Sequence, residues 1–208
     1  MRSSKLLPLS GVLSVVLIAA GFVAAGDTPD ADASLDEVSS FYADHTSEMI
    51  ASAVALALGA LFFLVYATAI TGALRRRQGE SGGASALGFG GGVVFAVGLL
   101  IFAGLSFALG DVGDKIDPAA VQTLSVLNTD LFLPAATGIA AFLLGTGAGV
   151  VKTGLLPTWL GWAAIVIGVL ALTPAGFIAL PLLGIWMIVS GVMVSMQADD
   201  PPASAQSI

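Results

Sequence analysis

The chain contains no cysteine, one histidine and very little charge. Without thiols it forms neither disulfides nor thiolate metal sites, although this does not discriminate between compartments. One imidazole cannot supply two axial haem ligands. Only 10% of its 208 residues are charged, against roughly 25% in a soluble domain. With 57% apolar residues, too little polar surface remains to cover such a core in water. Familiar catalytic signatures are missing as well: no GxGxxG after a strand, no P-loop, no G-x-S-x-G and no H-E-x-x-H.

What the chain does have is six apolar stretches, at 6–25, 49–74, 87–109, 131–151, 155–173 and 175–196, none holding a charged residue. A helix rises about 1.5 Å per residue and a bilayer core is about 30 Å thick, so each stretch has the length of a span. The expected fold is all-α: a polytopic membrane protein with one domain over 1–197, built as a six-transmembrane-helix bundle. The tail 198–208, with Asp199, Asp200, Pro201 and Pro202, is expected to be disordered.

Positive charge orients the bundle. Arg2, Lys5, Arg75, Arg76, Arg77 and Lys152 fall on one side if the spans alternate, and only Lys115 falls on the other. Both termini are therefore expected in the cytoplasm, with the protein multi-pass in the cell inner (cytoplasmic) membrane. A competing reading takes Arg2, Lys5, the first apolar run and Ala24-Ala25-Gly26 as a cleaved secretory signal, which would leave five spans. Run 6–25 exceeds the usual 7–15 residues of a signal core, so a retained anchor is expected.

The acids gather on the opposite side. Asp27, Asp30, Asp32, Asp36, Glu37, Asp44 and Glu48 lie in the first outer connection; Asp111, Asp114, Asp117 and Asp130 lie in the second. This placement argues against nucleic acid as a partner. The acids either attract cations or merely keep the loops solvated. Each loop also carries a short helix signal. Ser34 and Glu37 have capping-box spacing before Leu35, Val38, Phe41 and Tyr42. Asp117 is a candidate N-cap with Pro118 at the first helical position, before Val121, Leu124 and Leu127. Such helices would lie in the interface, extend the next span, or form a lid. The third hairpin turns at Thr173-Pro174-Ala175-Gly176. On the inner side, Arg75-Arg76-Arg77 precedes a flexible Gln78–Gly83 linker and reads as a topology anchor or an anionic-lipid contact. Leu6-Leu7-Pro8 and Leu155-Leu156-Pro157 open two outward spans without making a repeat.

Twenty-six glycines imply close helix contact, because apolar burial does not drive helices together in lipid. Gly88/Gly92 and Gly145/Gly149 are GxxxG pairs. Ala51, Ala55 and Gly59 form a small-residue row. Gly154, Gly161 and Gly168 recur at seven-residue spacing, as do Gly184 and Gly191, which predicts that spans five and six lie close together. Pro134 reads as a first-turn residue, Pro181 as a mild kink, and Trp159 and Trp162 as an inner anchor. Trp186 lies mid-span, where its indole N–H needs a partner or lines a cavity.

The polar groups inside the stretches include the hydroxyls of Tyr66, Thr68, Thr71, Ser106, Thr137, Thr146 and Ser190. A lack of intramembrane ionisable groups counts against an ion-coupled transporter. His45 and Glu48, joined by Asp130 and with Asp44 nearby, are the weak metal candidates. Neither a cofactor nor catalytic residues are expected, and the chain reads as a non-enzyme.

The acidic, aromatic segment Ser39-Ser40-Phe41-Tyr42 within Glu37–Arg77, an Ala/Leu-rich span closed by Leu74-Arg75-Arg76-Arg77, and the motif Leu156-Pro157-Thr158-Trp159-Leu160-Gly161-Trp162 resemble uncharacterised multi-pass membrane proteins of bacteria. The resemblance implies a six-helix fold and no catalytic residues. Three functions remain open. The first is an accessory or scaffold subunit that meets a second copy or a membrane-protein partner through small-residue helix faces. The second is a permease or channel for a small neutral or lipid-like solute, lined by Tyr66, Thr68, Thr137, Thr146 or Trp186. The third is an outer-face metal site.

Overall fold

The computed structural model describes residues 7–30, 32–79, 82–112, 115–130 and 132–197. Arg2, Lys5, Asp114 and the tail 198–208 lie outside the described residues. Within them the chain is helical and has no strand. The α-helices are α1 Ser10–Ala25, α2 Leu35–Asp44, α3 Thr46–Gln78, α4 Gly83–Val112, α5 Pro118–Asp130, α6 Phe132–Thr153, α7 Thr158–Leu170 and α8 Ala179–Gln197, the last preceded by a 3-10 turn, Gly176–Ile178.

Local chemistry sets several boundaries. Ser34 Oγ accepts the Glu37 N–H at 3.3 Å and opens α2. Asp117 Oδ1 accepts the Ala119 N–H at 2.9 Å and opens α5, with Pro118 at its first position. Gly79 and Gly154, both at φ 61, close α3 and α6 in the left-handed region where a side chain would be strained. Pro134 falls in the first turn of α6, where its missing N–H leaves no bond unmade.

Four segments, Thr46–Gln78, Gly83–Val112, Pro118–Thr153 and Gly176–Met196, are long and apolar enough to cross a membrane; Ser10–Ala25 and Thr158–Leu170 are apolar but shorter. Regular helix thus fills less of the first and fifth stretches than expected. Their ends form turns at Leu7–Leu9, around Leu155–Pro157 and from Ala171 onward, where Pro8, Pro157 and Pro174 remove donors and bias the preceding residue away from helix. Pro181 sits in the first turn of α8.

The helices form a ring, α1–α3–α4–α6–α7–α8, closed where α8 meets α1, and α3 and α6 also touch across it. The most extensive contacts are between α4 and α6, then α3 with α4. Spans five and six, α7 and α8, touch only modestly, which corrects the expectation of close apposition. The glycines explain the difference. On α8, Gly184 faces Val15 and Gly191 faces the Pro8 carbonyl, so both receive the α1 side. Gly161 and Gly168 of α7 face α6, while Gly154 is a helix cap. The row Ala51, Ala55, Gly59 is also not one seam, because Ala51 is exposed and Ala55 half-buried, while Gly59 is buried against Ile18.

One glycine of each GxxxG pair meets the other, Gly88 with Gly145, while Gly92 and Gly149 face α3. A methyl at Gly145 would overlap the Gly88 backbone, and one at Gly91 would overlap the Phe142 backbone nitrogen. The α4 and α6 backbones therefore lie in direct contact. Gly91→Ala is expected to destabilise the protein by at least about 1–3 kcal/mol, the usual range for overpacking. Gly90→Ala, whose methyl meets nothing within 4 Å, should gain up to about 1 kcal/mol of helix propensity. Thermal melting in mild detergent checks the pair. Equal melting temperatures for Gly91→Ala and the parent protein would overturn the interface.

Candidate functional site

Three regions hold the chemistry-bearing residues. At the acidic end, α2 and α5 pack on each other over a small separate core of Val38, Tyr42, Met49, Leu109 and Val121. The Tyr42 hydroxyl and Ser125 Oγ lie 2.9 Å apart, and Gln122 Nε2 donates to the Ala33 carbonyl at 2.9 Å. Burial pushes the Tyr42 phenol above its ordinary value, and the Ser125 bond offsets only part of this. The two loop helices thus make a cap. Only His45 separates α2 from α3, and only residue 131 separates α5 from α6. The stripe that α5 buries is Val121 with Ser125, whereas Leu127 is exposed.

His45 turns inward to its own helix. Its Nδ1–H donates to the Phe41 carbonyl at 2.8 Å, and its ring stacks on Phe41 with centroids 4.4 Å apart. Glu48 takes a hydrogen bond from Ser47 at 2.9 Å. Among the described residues no three of His, Asp and Glu form a group able to hold a metal ion, so His45, Glu48 and Asp130 are not brought together as a three-ligand site. Every described acid of the two outer connections is exposed. Lys115 pairs with Asp111 at 2.9 Å across one exposed helical turn, a kind of contact worth little.

The second region is the bundle centre. Phe142 is met by the rings of Phe63 (5.2 Å), Tyr66 (6.3 Å) and Trp186 (6.1 Å), and Phe95 packs edge-on to Phe63 at 4.8 Å. All five are buried. A hydroxyl chain threads this cluster. Tyr66 OH lies 2.5 Å from Ser190 Oγ, and Ser190 donates to the Trp186 carbonyl at 2.6 Å, which leaves Tyr66 as the donor to Ser190. Trp186 Nε1–H donates to the Leu160 carbonyl at 2.9 Å. The indole therefore has its partner in α7 and acts as packing. Thr146 bonds back to Phe142 O at 2.6 Å. Thr68 and Thr137 bond back to Leu64 and Leu133 on exposed faces. The five residues proposed to line a solute path are thus not gathered on one surface. Ser14, unremarked in the sequence, donates to the Gly59 carbonyl at 2.9 Å and ties α1 to α3.

The third region is the arginine end of α3. A cavity of about 880 Å³ is bounded there by Leu7, Pro8, Leu64, Gly72, Arg76, Arg77 and neighbours, and is mostly apolar. A second, of about 640 Å³, lies on the other flank of α3 and takes Arg75 with Ser85 and Gly82. The three arginines are thus divided between two grooves. Arg77 Nη1 donates to the Gly154 carbonyl at 3.1 Å, reaching the α6–α7 turn. Gly72 lies on the border of both grooves. The sequence offered a signal for it, a glycine one turn before the arginines, but no partner to read it against.

Among the described residues, fold and sites together define a helical protein with four segments long and apolar enough to cross a membrane, an aromatic centre and arginine-bordered grooves at one end. No protein-family model matches the chain, and neither the curated proteins nor the solved structures yield a significant match.

The hydroxyl chain makes a testable ordering. Ser190→Ala strands the buried Tyr66 O–H, which should cost about 1–3 kcal/mol. Tyr66→Phe leaves Ser190 its bond to Trp186 and should cost less than Ser190→Ala. Thermal melts of the two variants decide this, and the reverse order would contradict the donor assignment.

Proposed function

We propose that the protein is a non-enzymatic integral membrane protein, an accessory or scaffold subunit that associates through the outer face of α4. In this reading all six apolar segments cross the inner (cytoplasmic) membrane and both termini are cytoplasmic. The short helices α1 and α7 fit that arrangement. Gly11, Gly59 and Gly21 align α1 antiparallel to α3 from Tyr66 to Leu56, and Gly161 and Gly168 align α7 antiparallel to α6.

One observation carries the association. Leu87, Gly90, Val94, Val97, Ile101 and Gly104 are all exposed and recur at alternating spacings of three and four, the seam of left-handed helix packing. A methyl at Gly90 or Gly104 meets nothing within 4 Å. Glycine inside a helix costs about 1 kcal/mol relative to alanine, and other glycines of α4 repay that cost by admitting a neighbouring helix. Gly90 and Gly104 admit none within the bundle, so an external helix is the fitting occupant. The filled aromatic centre counts against the permease or channel reading.

Two measurements test this. Gly90→Leu with Gly104→Leu should abolish co-purification of a second copy or partner in mild detergent while the melting temperature does not fall. Recovery of only monomer from the parent protein would remove the proposal. For orientation, the absence of native cysteine permits single-cysteine labelling. Thr123→Cys should react with an impermeant maleimide on intact cells, and Gly83→Cys only after lysis; the reverse pattern would invert the topology.

A further inference from the structure

We propose that the larger groove beside the end of α3 is a binding site for one anionic phospholipid, its phosphate held by Arg76 and Arg77 and an acyl chain laid along the α3 surface. The groove has the polarity order of a lipid. Along α3 it is bordered by Leu61, Leu64, Val65, Thr68, whose hydroxyl bonds back to the Leu64 carbonyl, then Ala69, Gly72 and the two arginines. From Leu61 to Arg76 the helix rises about 22 Å, enough for one leaflet of hydrocarbon, about half of 30 Å, plus a headgroup.

Charge and shape agree. Arg76 and Arg77 border the same groove while Arg75 borders the other. Among the described residues no carboxylate lies within ion-pair distance of these guanidinium groups. Arg77 is braced by the Gly154 carbonyl at 3.1 Å, which holds one guanidinium at the groove mouth and leaves further N–H donors for phosphate oxygens. At Gly72 a methyl would meet only the far end of Arg76, at 3.9 Å, so the α3 surface is kept low where the chain would pass. Leu7, Pro8, Leu155 and Val194 complete the walls. The two Leu-Pro turns that shorten α1 and α7 therefore frame one site. A soluble phosphate would satisfy the arginines but not the apolar length of the groove, which selects the lipid.

The inference rests on α3 crossing the membrane and not on association through α4, so the Gly90 and Gly104 variants leave it untouched. The test is native mass spectrometry of the full chain released from nanodiscs of phosphatidylethanolamine with phosphatidylglycerol. The parent protein should retain one phosphatidylglycerol in preference to phosphatidylethanolamine. Arg76→Gln with Arg77→Gln should lower that retention about thirtyfold, from roughly 1 kcal/mol per arginine. Gly72→Leu should lower it too, by filling the groove with charge unchanged. Arg75→Gln should not. Equal retention of the two lipids by the parent, an equal loss in Arg75→Gln, or full retention in Gly72→Leu would each overturn the proposal. Melting temperatures measured alongside show that the variants fold, and Gly72→Leu remains informative if the arginine changes disturb insertion.

Discussion

Backbone contact between α4 and α6 is the constraint from which the rest of the bundle follows. In a bilayer the lipid tails are as apolar as leucine, so burial gives helices little reason to meet and close van der Waals contact must do it. Gly88 and Gly91 of α4 admit the backbone of α6, and Gly138 and Gly145 of α6 admit that of α4. With these two axes fixed, Gly92 receives Ala67 and the Phe142 and Phe63 rings, which seats α3. Gly147 and Gly161 then bring α6 and α7 together. Small residues decide the architecture, and the large ones fill what is left.

The filling is aromatic and internally satisfied. Tyr66 fits where Gly11 of α1 and Gly191 of α8 leave room beside its ring, and its hydroxyl ends on Ser190. One side chain thus touches the first and last helices of the ring, and the hydroxyl chain continues through Trp186 to α7. In a low-dielectric interior, polar groups with partners fix a unique arrangement, whereas unpaired ones are costly. Polar function is accordingly displaced to the two ends, where an exposed acidic cap faces one way and arginine-bordered grooves face the other.

Much of this was legible from residue types alone. The absence of charge in long runs signalled a membrane-type bundle. Ser34, Asp117 and the Pro174–Gly176 turn announced local structure, because caps and turns depend on neighbours in sequence. Which helix each glycine faces was not legible. Gly184 and Gly191 share a seven-residue spacing that says one neighbour exists, but α1 rather than α7 fills it, a fact of three-dimensional order. Trp186 needed a partner, and sequence could not say that the Leu160 carbonyl supplies it. Periodicity likewise suggested that Val121, Leu124 and Leu127 share one packed face; Val121 and the half-buried Leu124 do pack on the cap's core, but Leu127 is exposed and Ser125 is buried instead.

The unequal helix lengths carry a consequence for the surroundings. Helix α7 has 13 residues and stands beside α6, which has 22, a difference of about 13 Å in helical rise. On the six-span arrangement proposed above, the bundle would wear a helical belt of uneven height, and the lipid next to α7 would thin or the protein would tilt toward that side. Each ångström of mismatch costs a fraction of a kcal/mol. Membrane thickness would then act on this protein from one edge, favouring thin bilayers and a fixed tilt within them.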